Sequence, residues 1–275
     1  MAAGVGLVRV VKMNGTRNEF VVLDERSPRF GEYGKLARRV CDRETGIGAD
    51  GLLVLLPPSA SGIATMRVFN ADGGEAEMCG NGIRCVARYL WEEGCGNRFV
   101  LDTLGGPVGL EVVDHRSDVA VRVDLGVPQI LQRYREGAAF EALGQTWRYG
   151  RVSVGNPHAV VFVDDPYAVD LERLGARVQS LPAFASGINL HLARALDIVT
   201  LAVRHYERGV GITQACGTGA TAAAVLAIDD GRVRTPVQVQ VPGGLLGVDW
   251  RPGGRATLWG DAEVEFERFL ALEAS

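Results

Sequence analysis

The chain has 275 residues, 47% of them hydrophobic and 23% charged, and a net charge of −4. That length suits two domains of about 100 to 150 residues better than one. No run approaches the roughly 18 apolar residues of a membrane span, and no Lys/Arg cluster offers footing for a phosphate backbone. Near the N-terminus, Arg9 and Lys12 interrupt a short apolar run that has no basic lead-in, so it does not read as a signal peptide. The expectation is a cytoplasmic protein acting on a small molecule, with neither nucleic acid nor membrane as partner. Five cysteines (Cys41, Cys79, Cys85, Cys95 and Cys216) form an odd set too sparse for a disulfide scaffold, which fits a reducing compartment. None of the four histidines stands at metal-ligand spacing to a cysteine pair, so no metal is expected.

In chain order, Leu7 to Lys12, Phe20 to Leu23, Gly51 to Leu56 and Met66 to Phe69 read as strands, short, rich in Val and Leu, and bounded by Gly, Pro, Asn or Asp. Helical periodicity is sparser, at Tyr33 to Arg43, Ile83 to Glu93, Leu171 to Val178 and Ala220 to Asp229. Many strands with one or two helices per half indicate an α+β fold, not a regular βαβ alternation.

Four features of the first half recur in the same order in the second. An Asn opens a strand at Asn18 and again at Asn156, and a Gly-Ile turn leads into an apolar run at Gly46-Ile47 and at Gly187-Ile188. A strand ends in a polar residue, Asn70 or Glu207, nine positions before a cysteine. The sharpest pair is Cys79-Gly80-Asn81-Gly82 and Cys216-Gly217-Thr218-Gly219, each followed by a helical pattern rich in small residues. Four pairs in register mark an internal duplication, with halves 1–126 and 127–275 and the last ten or so residues able to return to the first half.

A Cys-Gly-X-Gly turn opening a helix aims successive backbone N–H groups at one spot, which the helix dipole makes favourable for a carboxylate or thiolate. A cysteine at a helix N-terminus is expected to have a lowered pKa. If a pseudo-two-fold axis relates the halves, Cys79 and Cys216 face one substrate across an interdomain cleft. One thiolate would remove an α-proton and the opposite thiol would return one, inverting the centre without a cofactor. Backbone donors would stabilise the charge that develops on the carboxylate. Cys41, Cys85 and Cys95 lack the repeated context and are read as buried small hydrophobes or disulfide partners, Cys85 on an apolar helix face. His115, His191 and His205 are read as solvated or satisfied core histidines.

At these residues the sequence resembles the diaminopimelate epimerase family, over nearly the whole chain. The similar stretches are Lys12 to Asp24, Gly46 to Leu53, FNADGGEAEMCGNGIR from Phe69 to Arg84, GNPH from Gly155 to His158, YERGVGITQACGTG from Tyr206 to Gly219, and VPGG from Val241 to Gly244. The resemblance implies two domains, each a mixed sheet wrapped around a central helix, and interconversion of LL- and meso-diaminopimelate without pyridoxal phosphate or any other cofactor. By matched position it implies that Cys79 is the proton donor and Cys216 the acceptor, labels that swap with direction. It further implies that His158 and Glu207 adjust thiol pKa values. Asn18, Asn70, Asn156, Asn189, Glu207 and Arg208 would contact the substrate, while Gly80, Asn81, Gly217 and Thr218 would cradle the reacting carboxylate. A homodimer is also consistent with the resemblance. Two departures stand out: Arg17 replaces a loop glycine, and Gly51 stands where some members carry glutamine. Proline or hydroxyproline racemases share the two-cysteine logic, but Asn70, Asn189, Glu207 and Arg208 favour a substrate with a second amino-acid end. Gly46-Ile47-Gly48-Ala49-Asp50-Gly51 formally matches GxGxxG, yet it follows a charged helix and precedes an apolar run, the reverse of a dinucleotide-binding turn.

Overall fold

A computed structural model describes residues 5–27, 30–115 and 118–273. The side chain of His115 lies outside the described residues. The chain divides into two compact units, one reaching to Val123 and resuming at Gly260, the other Asp124–Trp259.

In the first unit β1 (Val5–Gly15) is flanked antiparallel by β20 (Glu263–Glu273) and β2 (Asn18–Asp24). Strand β2 runs parallel to β3 (Gly51–Leu56), and β3 antiparallel to β4 (Ala64–Asn70). Strand β4 pairs antiparallel with β5 (Glu75–Ala76) and parallel with β6 (Arg98–Asp102). An antiparallel run from β6 through β7 (Val108–His115) to β8 (Asp118–Asp124) completes the sheet.

The second unit repeats this connection by connection. Strand β12 (Gly150–Ser153) lies antiparallel between β9 (Gln129–Gln132) and β13 (Pro157–Phe162). Strand β13 is parallel to β14 (Asn189–Ala195), and β14 antiparallel to β15 (Thr200–Glu207). Strand β15 pairs antiparallel with β16 (Gly211–Thr213) and parallel with β17 (Val237–Val241). From there β17 continues antiparallel through β18 (Gly244–Asp249) to β19 (Thr257–Asp261). The hairpin β10 (Ala139–Ala142) and β11 (Gln145–Arg148) is extra to the repeat.

The registers fix residue equivalences. Phe20 faces Gly51 as His158 faces Asn189, and Leu53 faces Val68 as His191 faces His205. The duplication read from the sequence is therefore a duplication of topology, and Asn18 matches Asn156, Asn70 matches Glu207.

Each sheet packs around one helix, α2 (Gly80–Glu92) or α4 (Gly217–Asp229). In α4, residues 217–227 are all buried and are mostly Gly, Ala and Thr, so it is apolar on every side and its slim surface lets strands from β12 to β18 approach. The shorter helices α1 (Tyr33–Cys41) and α3 (Leu171–Gln179) are amphipathic and bury one face in satellite cores, Ala37 and Val40 in one unit, Leu171, Leu174 and Val178 in the other. Among the described residues no helix is long and apolar enough to cross a membrane.

The turn between β1 and β2 explains how Arg17 is accommodated. Thr16 and Arg17 both adopt left-handed backbone, φ 51° and 60°, in a two-residue turn closed by Gly15 opposite Asn18. Such φ values cost a β-branched or long side chain about 1 kcal/mol or more, so the surroundings must hold them. Thr16 donates N–H and Oγ1–H to Asp261 Oδ1 at 3.1 and 2.8 Å, and Arg17 N–H donates to Asn14 Oδ1 at 2.8 Å. Arg84, fully buried in α2, locks this corner by donating to Thr16 Oγ1 (2.6 Å), Asn81 Oδ1 (3.1 Å), Gly80 O (3.2 Å) and Asp261 O (3.0 Å). Replacing Arg84 by Leu leaves four acceptors without their buried donor and should cost about 3 kcal/mol or more in urea unfolding. A loss under about 1 kcal/mol would show that the corner holds itself.

Candidate active site

In the first unit Cys79 is the N-cap of α2, with extended backbone (φ −134°, ψ 114°), and its Sγ accepts from Gly82 N–H at 3.4 Å. Helical hydrogen bonding begins at Ile83 N, which donates to Cys79 O at 2.8 Å. The N–H groups of Gly80 and Asn81 precede that bond, in the first turn of the helix. The Asn81 side chain, by contrast, is turned away from such a cradle. Its Oδ1 receives Arg84, and its Nδ2 donates to Asn18 Oδ1. Asn18 in turn donates to Asp50 Oδ2 at 3.4 Å. Asn70 is exposed at the end of β4, opposite Gly51. A Cβ at Gly51 would lie 2.9 Å from Phe69 O, so this backbone admits glycine and leaves no room for a glutamine there.

In the second unit Cys216 caps α4 with nearly the same backbone (φ −133°, ψ 107°), and Ala220 N donates to Cys216 O at 2.8 Å. Gly217 and Thr218 hold the open amides at this end. The thiol is buried, 3.7 Å from Thr218 Oγ1, and hydrogen-bonded to the carboxyl of Glu207. Here the sequence-based expectation of a lowered thiol pKa fails. Burial first, and the Glu207 charge second, push Cys216 well above its ordinary value, outweighing the amides of the first turn. Burial also raises Glu207, against the hydrogen bonds from Thr213 (2.6 Å) and from the thiol. Cys216 is thereby held as the protonated thiol, with the Glu207 carboxyl as its acceptor.

Asn189 is buried and bridges backbone: its Nδ2 donates to Pro157 O (3.1 Å) and its Oδ1 accepts from Arg208 N (3.0 Å). Both halves of its amide are thus used inside the unit. Arg208 is exposed, donates to Ser186 O at 2.9 Å, and lies across Gly187, where a Cβ would come within 2.2 Å of Arg208 Cδ. Gly187 therefore has a packing reason in this unit. Asn156 Oδ1 accepts from His158 Nε2 at 2.7 Å. His158, His191 and His205 are fully buried, and burial holds all three well below the usual value, His158 and His205 at about 3. Sequence reasoning set His191 and His205 aside as separate core residues and did not see that they join His158. The register of β13, β14 and β15 was the signal for it.

Of the remaining thiols, Cys41 and Cys85 are buried and pushed up to about 12 by desolvation, the opposite of an activated nucleophile. Cys95 accepts from Arg26 Nη1 at 3.5 Å. Cys41, Cys85, Cys95 and Cys216 carry free thiols.

Solved structures share this architecture. A phenazine biosynthesis protein of the PhzF family from Bacillus anthracis aligns with TM-score 0.75 at 15% identity, covering 97% of this chain and 100% of that one. A hydroxyproline epimerase from Agrobacterium vitis aligns with TM-score 0.72 at 15% identity, over 97% and 93% of the two chains. The protein thus has the duplicated α+β fold of the phenazine biosynthesis and proline racemase proteins. At the level of sequence, the family model described as diaminopimelate epimerase matches residues 10–131 and 150–265. The diaminopimelate epimerase of Desulfitobacterium hafniense is 38% identical over 97% of this chain and 99% of its own length. That of Rhizorhabdus wittichii is 42% identical over 97% of each. The chain belongs to the diaminopimelate epimerase family.

The buried histidines give the native state a pH signature. Unfolded, each binds a proton below about 6.5; folded, His158 and His205 do so only near 3. Between those values the unfolded chain holds more protons, so stability rises with pH; the contribution is complete above 6.5 and lost as pH falls. Each histidine contributes roughly 1.4 kcal/mol per pH unit in that window. A urea series from pH 7 to 4 should show this loss, and His205→Leu should flatten the slope by about one histidine's share. An identical slope in wild type and variant would refute a neutral, buried His205.

Proposed function

We propose that this chain interconverts LL- and meso-diaminopimelate, the step that feeds lysine and cell-wall precursor synthesis, by two-base catalysis with Cys79 and Cys216 on opposite faces of one α-carbon. The observation that supports it most directly is the repetition of one catalytic turn. Two cysteines, at equivalent positions of duplicated units, cap sheet-wrapped helices with the same backbone geometry, in a chain of the diaminopimelate epimerase family.

The chemistry follows from the groups present. One sulfur must be thiolate and the other thiol. The thiolate takes the α-hydrogen, the electron pair delocalises into the carboxylate, and the opposite thiol gives its proton to the other face. Sulfur protonation states are exchanged at the end of the turnover, so the enzyme is ready for the reverse reaction. The weak acidity of an α-hydrogen is the obstacle, and the first-turn amides at Gly80, Asn81, Gly217 and Thr218 answer it by holding the carboxylate whose charge grows in the transition state. Glu207 receives the Cys216 proton and makes the thiolate available, a role favoured by the rise that burial gives the carboxyl's own pKa. Asn18, Asn70, Asn156, Asn189 and Arg208 are assigned to the distal amino-acid end, Arg208 through its guanidinium and Asn189 by keeping the Arg208 backbone in place.

Reduced protein incubated in heavy water with LL-diaminopimelate, and separately with proline and hydroxyproline, tests reaction and substrate together by NMR. Deuterium should enter one α-carbon of diaminopimelate as the meso isomer forms, with proline and hydroxyproline untouched. Cys79→Ala and Cys216→Ala should each lower kcat by about 10²–10⁴-fold. Exchange confined to proline would move the chain to a different substrate class, and exchange in none of the three would sink the reading.

A further inference from the structure

Three adjacent strands of the second unit place three imidazoles in a row. His158 Nδ1 lies 2.8 Å from His191 Nε2, and His191 Nδ1 lies 2.8 Å from His205 Nδ1. At the outer end His158 Nε2 meets Asn156 Oδ1 at 2.7 Å; at the inner end His205 Nε2 is buried with no hydrogen-bond partner among the described residues. Asn156 itself is half-buried, the point where the row reaches the candidate site.

The duplication supplies an internal control. The equivalent positions in the first unit are Phe20, Leu53 and Val68, all buried and all apolar. The fold therefore needs no polar group at these three places, and burying three imidazoles instead costs desolvation that hydrogen bonds must offset. The row is also wedged under the catalytic turn. A Cβ on Gly219 would lie 2.3 Å from His191 Cε1, so the last glycine of Cys-Gly-Thr-Gly is what admits the ring, as Gly82 admits Leu53 Cδ2 at 2.9 Å in the first unit.

The protons of the row can be assigned. A neutral imidazole has one N–H and one bare nitrogen. Asn156 Oδ1 can only accept, so His158 carries its proton on Nε2 and accepts at Nδ1. His191 must then donate from Nε2 and accept at Nδ1, and His205 must donate from Nδ1. What remains buried without a partner is the His205 Nε2 lone pair. The reverse polarity would strand an N–H donor there, the rarer and costlier orphan.

We propose that His191 and His205 are positioning residues: through this one-way row they hold His158 as an Nε2–H donor, which turns the Asn156 oxygen inward and its NH2 outward, selecting a carboxylate oxygen and rejecting an ammonium on the ligand. The ligand part rests on the reading of Asn156 as a substrate contact. His191→Leu cuts the row, while His191→Gln restores both of its hydrogen bonds, since a carboxamide can donate to His158 Nδ1 and accept from His205.

The first test needs no substrate. Long-range ¹H–¹⁵N NMR of histidine-labelled protein at pH 7 should show three neutral rings, protonated at Nε2 in His158 and His191 and at Nδ1 in His205. Any other tautomer at His158 or His191, or an imidazolium, overturns the proposal. In the second, epimerisation of diaminopimelate is followed for wild type and both variants. His191→Leu should raise KM tenfold or more with kcat changed less than threefold, and His191→Gln should return KM to within about threefold of wild type. Unchanged KM in His191→Leu, with wild type active, overturns the proposal and leaves the proposed function standing. Wild type inert toward diaminopimelate overturns the function and the ligand assignment together, while the tautomers report on the row independently. Should His191→Leu fail to fold, the wild-type tautomers and the KM of His205→Leu, expected to rise in the same way, decide the matter.

Discussion

Each unit rests on a helix enclosed by the sheet of its own unit. A helix buried along its length keeps its backbone hydrogen bonds satisfied internally, but the amides of its first turn have no such partner. Those amides are therefore where the buried element meets a ligand, and the residue that caps them is placed with the rigidity of the core behind it. In α4 the run of Gly, Ala and Thr lets the strands close in, and the sulfur of Cys216 is fixed at the tip by that packing. The same enclosure works against ionisation. Desolvation raises the Cys216 thiol despite the helix end, and the charge of Glu207 adds to the rise.

The two units use one topology for two different interiors. Where the first packs Phe20, Leu53 and Val68, the second places three histidines; where the first has Arg84 gathering the turn, Asn81 and Asp261, the second has Thr221, whose hydroxyl donates to Gly217 O at 2.9 Å. One half is stiffened by a buried guanidinium and the other by a row of neutral rings. Symmetric backbones with asymmetric polar interiors suit a reaction in which the two faces of one carbon are treated alike while the rest of the ligand is not.

Much of this was legible in the sequence. The Asn-led strands, the polar strand ends and the cysteine caps sit in the structure at equivalent positions, whereas the Gly-Ile turns are offset, Gly187 matching Ala49 and not Gly46; the four helices lie where periodicity placed them, α2 and α4 beginning three residues earlier because glycines mask a helical start. The fold class followed from strand density and the family from long motifs. What the sequence hid is what register creates. Residues 158, 191 and 205 are far apart in the chain and meet through two strand pairings. Arg84 looked like the end of a motif, and only the return of Asp261 beside Thr16 shows what it holds. The direction of the Cys216 shift could not be read from a cap position, since it is decided by how completely the tip is buried.

The pairing of β20 with β1 adds a constraint of a different kind. Strand β1 is made before the second unit and its outer neighbour β20 after it, so the first unit waits with an open edge while the whole second unit is made. Vectorial synthesis then completes the units in reverse order, the second as a continuous insertion and the first when β20 arrives. An open β1 is a template for any extended segment in the meantime. The ion pair between Arg9 and Glu267, which sit at diagonal positions of the two strands, gives the arriving strand an electrostatic mark by which the correct partner is distinguished.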